Sequence, residues 1–192
     1  LDQQMKTNIR RDKSKIIYKW LKSILIFALF TITLVLIGLS PVFNIKSIEV
    51  SGNKHYDSQD VVDATDITVG SNGFRTIGSN LFNILTLRYG NAEKLILKTR
   101  PYVKEVKVKF LPPSKVKIDL IERNPVAVVP YYGTGLIIDD EGYILGTETA
   151  EERSSLPMIV GLKFENFELG QPIKLDDQLC LSQAFSVIKA VS

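Results

Sequence analysis

His55 is the only histidine in the chain, which excludes metal sites built on two or three imidazoles. Beside Asn53 and Lys54 it reads as a solvated turn residue rather than a general base. Asp139, Asp140 and Glu141 could be drawn as a calcium loop, but they lack the ligand series and closing glutamate of an EF-hand. With Gly142 they read instead as a tight turn. Gly70 and Gly78 precede no Gly-Lys-Ser/Thr element, so no phosphate loop is expected. A serine nucleophile would need a histidine or lysine base in a defined pocket, and nothing in the sequence argues for one. Cys180 is the sole cysteine; it cannot form an intrachain disulfide and reads as a small buried apolar residue. No catalytic residue, cofactor, metal or small-molecule substrate is therefore expected. The remaining cluster is basic: Lys104, Lys107, Lys109, Lys115 and Lys117. It reads first as a solvated sheet face whose lysines discourage edge-to-edge aggregation. The alternative is a docking surface for an acidic partner segment, with Lys107, Lys109, Lys115 and Lys117 as the contact candidates. Open sheet edges also invite strand addition from a partner.

These lysines lie in the clearest periodic stretch of the chain. Val106, Val108 and Phe110 alternate with Lys107 and Lys109. After a turn at Leu111-Pro112-Pro113-Ser114, Val116, Ile118 and Leu120 alternate with Lys117 and Asp119. Period two with a polar outer face predicts a hairpin with one side on a core. Upstream, Ile45 to Ser51 predicts a strand with Ile48 and Val50 on one face, closed by the turn pair Gly52-Asn53. Asp57 or Ser58 caps a short helix through Ala64. A loop rich in Gly, Ser and Asn follows, and Asn91 caps a second helix carrying Ala92, Leu95, Ile96 and Thr99, which Pro101 cannot continue. The order is β-α-α-β-β, and a sheet this small needs its helices to cover the apolar face.

Past Glu122-Arg123-Asn124-Pro125 the pattern becomes mostly β. Val126 to Pro130 predicts a strand, and Leu136 to Leu145 a strand, turn and strand around Asp139 to Gly142. Leu156 to Val160 predicts another strand. A helical pattern starts at Asp176 and takes in Leu179, Ala184, Val187, Ile188 and Val191. A part-built sheet followed by one helix is an odd place for a domain to stop, so this second domain is expected to be truncated at its carboxyl end.

Ahead of all this, Ser23 to Ile45 carries no charge. About 20 apolar residues cross the ~30 Å hydrocarbon layer. Tyr18 and Trp20 stand at the amino-terminal edge, where amphipathic rings favour headgroups. Seven basic and two acidic residues precede Ser23, so the arm carries +5 of the overall +3 and the remainder is near −2. The basic excess thus belongs to the arm, and the folded part shows no nucleic-acid footprint. The positive-inside bias places the amino terminus in the cytoplasm and the bulk of the chain outside. The apolar run exceeds a signal-peptide core and leaves through Leu39-Ser40-Pro41 with no Ala-x-Ala site, which favours a retained anchor.

Taken in order, Phe43 to Asn53, Gly78 to Phe82, Arg100-Pro101-Tyr102-Val103, the Pro112 hairpin, Glu122 to Ala127, Asp139 to Gly142 and Leu156 to Gly161 resemble the septal protein family FtsQ, called DivIB in Gram-positive bacteria. The match runs over nearly the whole chain. The resemblance implies an α+β chain: a basic cytoplasmic arm (1–22), a single transmembrane helix (23–43), a POTRA-like domain of order β-α-α-β-β (44–123) and a mostly β domain (124–192). It implies a non-enzymatic divisome scaffold in the plasma membrane at the septum, with FtsB/DivIC-like and FtsL-like membrane proteins as partners. It gives Gly52 and Asn53 a tight turn and Arg123 and Pro125 an interdomain joint. The partner-binding residues of relatives fall on strands not recognised here, so none is carried over. The loop from Asp66 to Ile77 is longer than the family's compact form. The competing classes are a secreted or membrane-anchored protein-binding module not specific to division, a cell-wall hydrolase, and a POTRA-bearing outer-membrane transporter. The last would need a long carboxyl-terminal barrel and no basic arm.

Overall fold

A computed structural model describes residues 2–78, 80–149, 154–175 and 178–191. The chain divides into two compact units between Phe43 and Asn44. The first is a continuous helix, α1 (Asp2–Gly38). Its stretch Tyr18–Gly38, 21 residues, is long and apolar enough to cross a membrane, spanning ~31 Å at 1.5 Å per residue. Its large apolar side chains are exposed. Thr31 and Thr33 return their hydroxyls to the carbonyls of Phe27 and Leu29 at 2.8 and 2.9 Å, so neither donor would be left unmet in hydrocarbon. The helix stops at Gly38, short of the sequence boundary at Phe43. Pro41 lacks an N–H and disfavours helical geometry at Ser40, and Pro41–Phe43 form a 3-10 turn instead.

The second unit contains two three-stranded sheets. In the first, β2 (Val103–Leu111) and β3 (Lys115–Glu122) pair antiparallel, with Val108 opposite Ile118 and Lys107 opposite Asp119. Val106, Val108, Phe110, Val116, Ile118 and Leu120, the apolar set that the alternation predicts, are buried, and so is Val103 at the start of β2. β1 (Ser47–Ser51) adds parallel to β3. A parallel neighbour requires a crossover, which here carries three helices rather than two: α2 (Ser58–Asp63), α3 (Leu81–Thr86) and α4 (Gly90–Thr99). α2 lies against β1 and α4 against β2, bringing Val61, Ala92 and Ile96 into the core.

Two sequence expectations change here. Helix α3 falls in the stretch read as loop. The Asn80 side chain accepts from the N–H of Phe82 at 2.9 Å, and Leu87 ends the helix in the left-handed region. Helix α4 is capped by Tyr89, and Asn91 lies inside it, because the Tyr89 carbonyl already accepts from the N–H of Glu93. The long loop is held down. Ile67 and Ile77 are buried, and the Tyr89 hydroxyl donates to the Gly73 carbonyl at 2.5 Å. A Cβ at Gly73 would meet the Phe110 ring at 2.2 Å, so only glycine lets the loop lie this close.

The second sheet is an antiparallel meander of β4 (Ala127–Tyr131), β5 (Thr134–Ile138) and β6 (Ile144–Glu148). Tyr132 and Gly133, both at positive φ, make the two-residue turn whose twist suits a hairpin. Its core holds Ala127, Val129, Leu136, Ile138 and Ile144 with Ile159 and Ile173. Leu181, Ala184, Phe185 and Ile188 of α5 (Gln178–Val191) pack against it. Leu156 to Val160 is not a ladder strand. It makes one bridge, Val128 to Met158, with Pro157 and Ile159 bonded to Val128, since Pro157 has no N–H to extend the pairing. Ser79, Asp176 and the side chains of Leu179, Cys180, Val187 and Val191 lie outside the described residues.

Candidate functional site

The two sheets meet where β3 ends, and the neighbouring residues Glu122 and Arg123 reach in opposite directions. Gly52 begins the first arm. At φ +86° it holds a conformation that other residues rarely adopt, and a Cβ there would lie 1.9 Å from the Leu120 carbonyl oxygen. The turn therefore lies flat on β3. The Asn53 side-chain amide donates to the Tyr56 carbonyl at 2.9 Å. The following backbone presents three N–H groups to one carboxylate. Glu122 Oε2 accepts from Lys54 and His55, both at 2.7 Å, and Oε1 accepts from Tyr56 at 3.3 Å. A carboxylate satisfied by several backbone donors makes the stronger, charge-assisted kind of hydrogen bond.

His55 is exposed, as a turn residue should be, but its ring also stacks on Tyr102 with centroids 3.6 Å apart. Tyr56 stands edge-on to Tyr102, and the Arg100 guanidinium lies 5.7 Å from the centre of the Tyr56 ring. Burial pushes the Tyr56 and Tyr102 hydroxyls above the ordinary phenol range, which leaves both neutral.

Arg123 forms the second arm. Its N–H donates to the Tyr102 carbonyl at 2.6 Å. Its guanidinium donates from Nη1 to Asp139 Oδ2 at 2.5 Å and to Glu141 Oε2 at 2.8 Å. The same group lies 3.6 Å from the centre of the Tyr143 ring, where a desolvated cation is attracted by the ring face. The Arg123 and Asp139 side chains are 8% and 2% exposed, so this is a buried ion pair. Burial alone would lower the arginine's pKa, but the bonds to Asp139 and Glu141 hold it above the ordinary value. Asp139 is further engaged, its Oδ1 accepting from the N–H groups of Glu141 and Tyr143 at 3.0 and 2.7 Å. Glu141 also takes Lys104 Nζ at 2.5 Å. Lys104 first, and then Arg123, keep its carboxyl below the usual range. Among the described residues no buried side-chain polar atom lacks a partner.

The charged groups of Arg123, Asp139, Glu141, Lys104 and Glu122 are thus each bonded to a neighbour, which suits holding two sheets in register. Among the described residues no group of three or more His, Cys, Asp or Glu side chains could hold a metal ion. Pro125 is exposed in the connection between β3 and β4. Lys107 and Lys109 are exposed on β2, Lys115 pairs with Glu49 at 2.6 Å, and Lys117 pairs with Asp119 at 2.7 Å. The basic stripe is therefore interleaved with acids. The sequence does not single out Tyr102 or Tyr143 as site residues, and Asp139 and Glu141 read there as turn residues rather than as a calcium loop. The available signal was the pair Glu122-Arg123 at a strand end, where opposite charges one residue apart must face opposite ways.

Residues 43–123 match the FtsQ-type POTRA domain family. The chain is 27% identical over 133 residues to the cell division protein DivIB of Clostridium tetani, covering 69% of this chain and 46% of that protein. It is 27% identical over 162 residues to DivIB of Clostridium botulinum, covering 83% and 59%. It is 29% identical over 119 residues to the cell division protein FtsQ of Bartonella bacilliformis, covering 62% and 35%. The chain carries an FtsQ-type POTRA domain and is similar to the DivIB and FtsQ division proteins. It spans about half the length of the curated relatives it matches. Within the family match, Glu122 and Arg123 stand at the last positions of the POTRA domain, where the β4-β5-β6 part begins.

Proposed function

We propose that this protein is a non-enzymatic division scaffold, anchored by α1 in the plasma membrane and linking septal membrane proteins. The observation that carries this reading is the FtsQ-type POTRA match, which starts at residue 43, directly behind a helix of membrane-crossing length. The basic arm (1–22) lies in the cytoplasm and the span ends before Asn44. The POTRA part (44–123) and the β part (124–192) lie outside, where Arg123 with its Asp139 and Glu141 partners fixes their relative angle and Pro125 stiffens the connection. The partners are of the FtsB/DivIC and FtsL kinds. Lys107 and Lys109, without an ion pair among the described contacts, are the basic positions best placed to meet an acidic partner segment.

A fluorescent fusion, expressed in a bacterium depleted of its own homologue, tests the division role. A band at mid-cell is expected, and even fluorescence around the membrane would contradict it. The orientation is tested by Ser14→Cys and Ser154→Cys in a Cys180→Ser background. An impermeant thiol reagent should label only the second in intact cells, and labelling of the first would reverse the topology.

A further inference from the structure

Helix α3 is built inside out. Its polar residues Asn83 and Thr86 are half-buried against the protein, while Leu81, Phe82, Ile84 and Leu85 are 76%, 58%, 47% and 83% exposed. Four large apolar side chains on six residues form an unusual solvent-facing patch, and such patches mark contact surfaces. Two further observations point to what covers it. First, the loop leading to α3 is tied to the residues that follow the membrane-length helix. Asn44 bridges Asn72, the Ile45 N–H donates to Ser71 at 2.9 Å, and the Gly70 N–H donates to Ile45 at 2.8 Å. Only five residues, 39–43, separate Gly38 from Asn44, at most ~22 Å of extended chain. Residues 70–72 are therefore tethered close to where the chain leaves the bilayer, and Val69 beside them is also exposed, at 64%. Second, between Asp66 and Glu93 the chain carries no acidic residue; Arg88 there is paired with Glu93 at 2.8 Å, which leaves Arg75 as the basic side chain of the segment. That composition is free of repulsion from an anionic lipid surface, which attracts basic side chains instead.

We infer that α3 lies in the headgroup region of the membrane that α1 spans, with Leu81, Phe82 and Leu85 inserted among the acyl chains as a second, shallow anchor. This inference rests on the reading of α1 as a membrane span. A shallow anchor would restrict the tilt of the POTRA part on its tether, holding it at a defined height above the bilayer.

The full chain in a Cys180→Ser background, reconstituted into liposomes of phosphatidylcholine and phosphatidylglycerol, provides the test. Spin labels are placed singly at Leu29→Cys, Phe82→Cys, Leu85→Cys and Lys107→Cys, and collision with oxygen is compared with collision with a water-soluble nickel chelate. Labels at positions 29, 82 and 85 should be reached mainly by oxygen, with nickel access at 82 and 85 several-fold below that at 107. Aqueous access at 82 and 85 together with lipid access at 29 would overturn the inference and leave the span intact. Shielding of 82 and 85 that appears only when another protein is added would also overturn it, in favour of a protein partner. Aqueous access at all four positions would overturn the span and the inference together.

Discussion

The two sheets have three strands each, yet they are closed in different ways. The first is covered by helices α2 and α4, and its antiparallel hairpin is extended by a parallel strand through a crossover. The second is a plain meander whose apolar face is closed by α5 and by irregular segments that supply Ile159 and Ile173. The first sheet draws its strength from one continuous apolar surface. The second relies on single residues arriving from outside its strands, and on Arg123, which enters from just past the end of β3. Perturbations should therefore be severe and local in the first sheet, and transmitted through the joint in the second.

The largest effect is expected from Val108→Asp or Ile118→Asp. Either buries an unpaired charge in the first core, at a cost of several kcal/mol (roughly 3–5). Loss of protease resistance would report it, and wild-type resistance would show that the register is wrong. Next comes Arg123→Ala, which strands the buried Asp139 carboxylate. Removing one partner of a buried pair costs about 3 kcal/mol or more. Hydrogen exchange should accelerate over residues 139–143 before it does in β2 and β3. Glu122→Gln keeps the shape but removes the charge that holds three backbone N–H groups. A loss of about 1–2 kcal/mol is expected, with faster exchange confined to residues 54–56.

Smaller still is a pH effect. The Glu141 carboxyl is held below its usual range in the folded protein by Lys104 and then Arg123. Its contribution is complete above the unfolded value of about 4.3 and is lost as pH falls through the depressed folded value. A Glu141→Gln variant should therefore show a weaker acid dependence below about pH 4.3 than the parent in denaturant titrations. Least of all, Lys107→Gln on the wet face of β2, which sets no like charge opposite Asp119, should change stability by no more than about 0.5 kcal/mol, and a larger loss would mean that this face is packed.

The same comparison explains what could be read in advance. The β2-β3 hairpin was legible because alternation at period two reports directly on burial: Lys107 and Lys109 are out, and Val106, Val108 and Phe110 are in. Helix α3 was not, because its apolar residues face away from the core and give no amphipathic signal pointing inward. The joint was half legible. Gly52, Asn53, Arg123 and Pro125 stood out by motif. The carboxylate of Glu122, however, binds backbone N–H groups, which carry no side-chain signature. Arg123 meets carboxylates 16 and 18 residues downstream, across a change of sheet that no local pattern encodes. The Arg123 contacts link the parts before and after residue 123 within one compact unit.

One buried pair, Arg123 with Asp139, is expected to couple the two sheets. A double-mutant cycle on Arg123→Ala and Asp139→Asn, read by denaturant unfolding of the full chain, measures it most directly. The two single losses should exceed the loss in the double variant, with a coupling energy of roughly 1.5–3 kcal/mol. Additive losses, with coupling within about 0.3–0.5 kcal/mol of zero, would show that the pair does not join the sheets energetically.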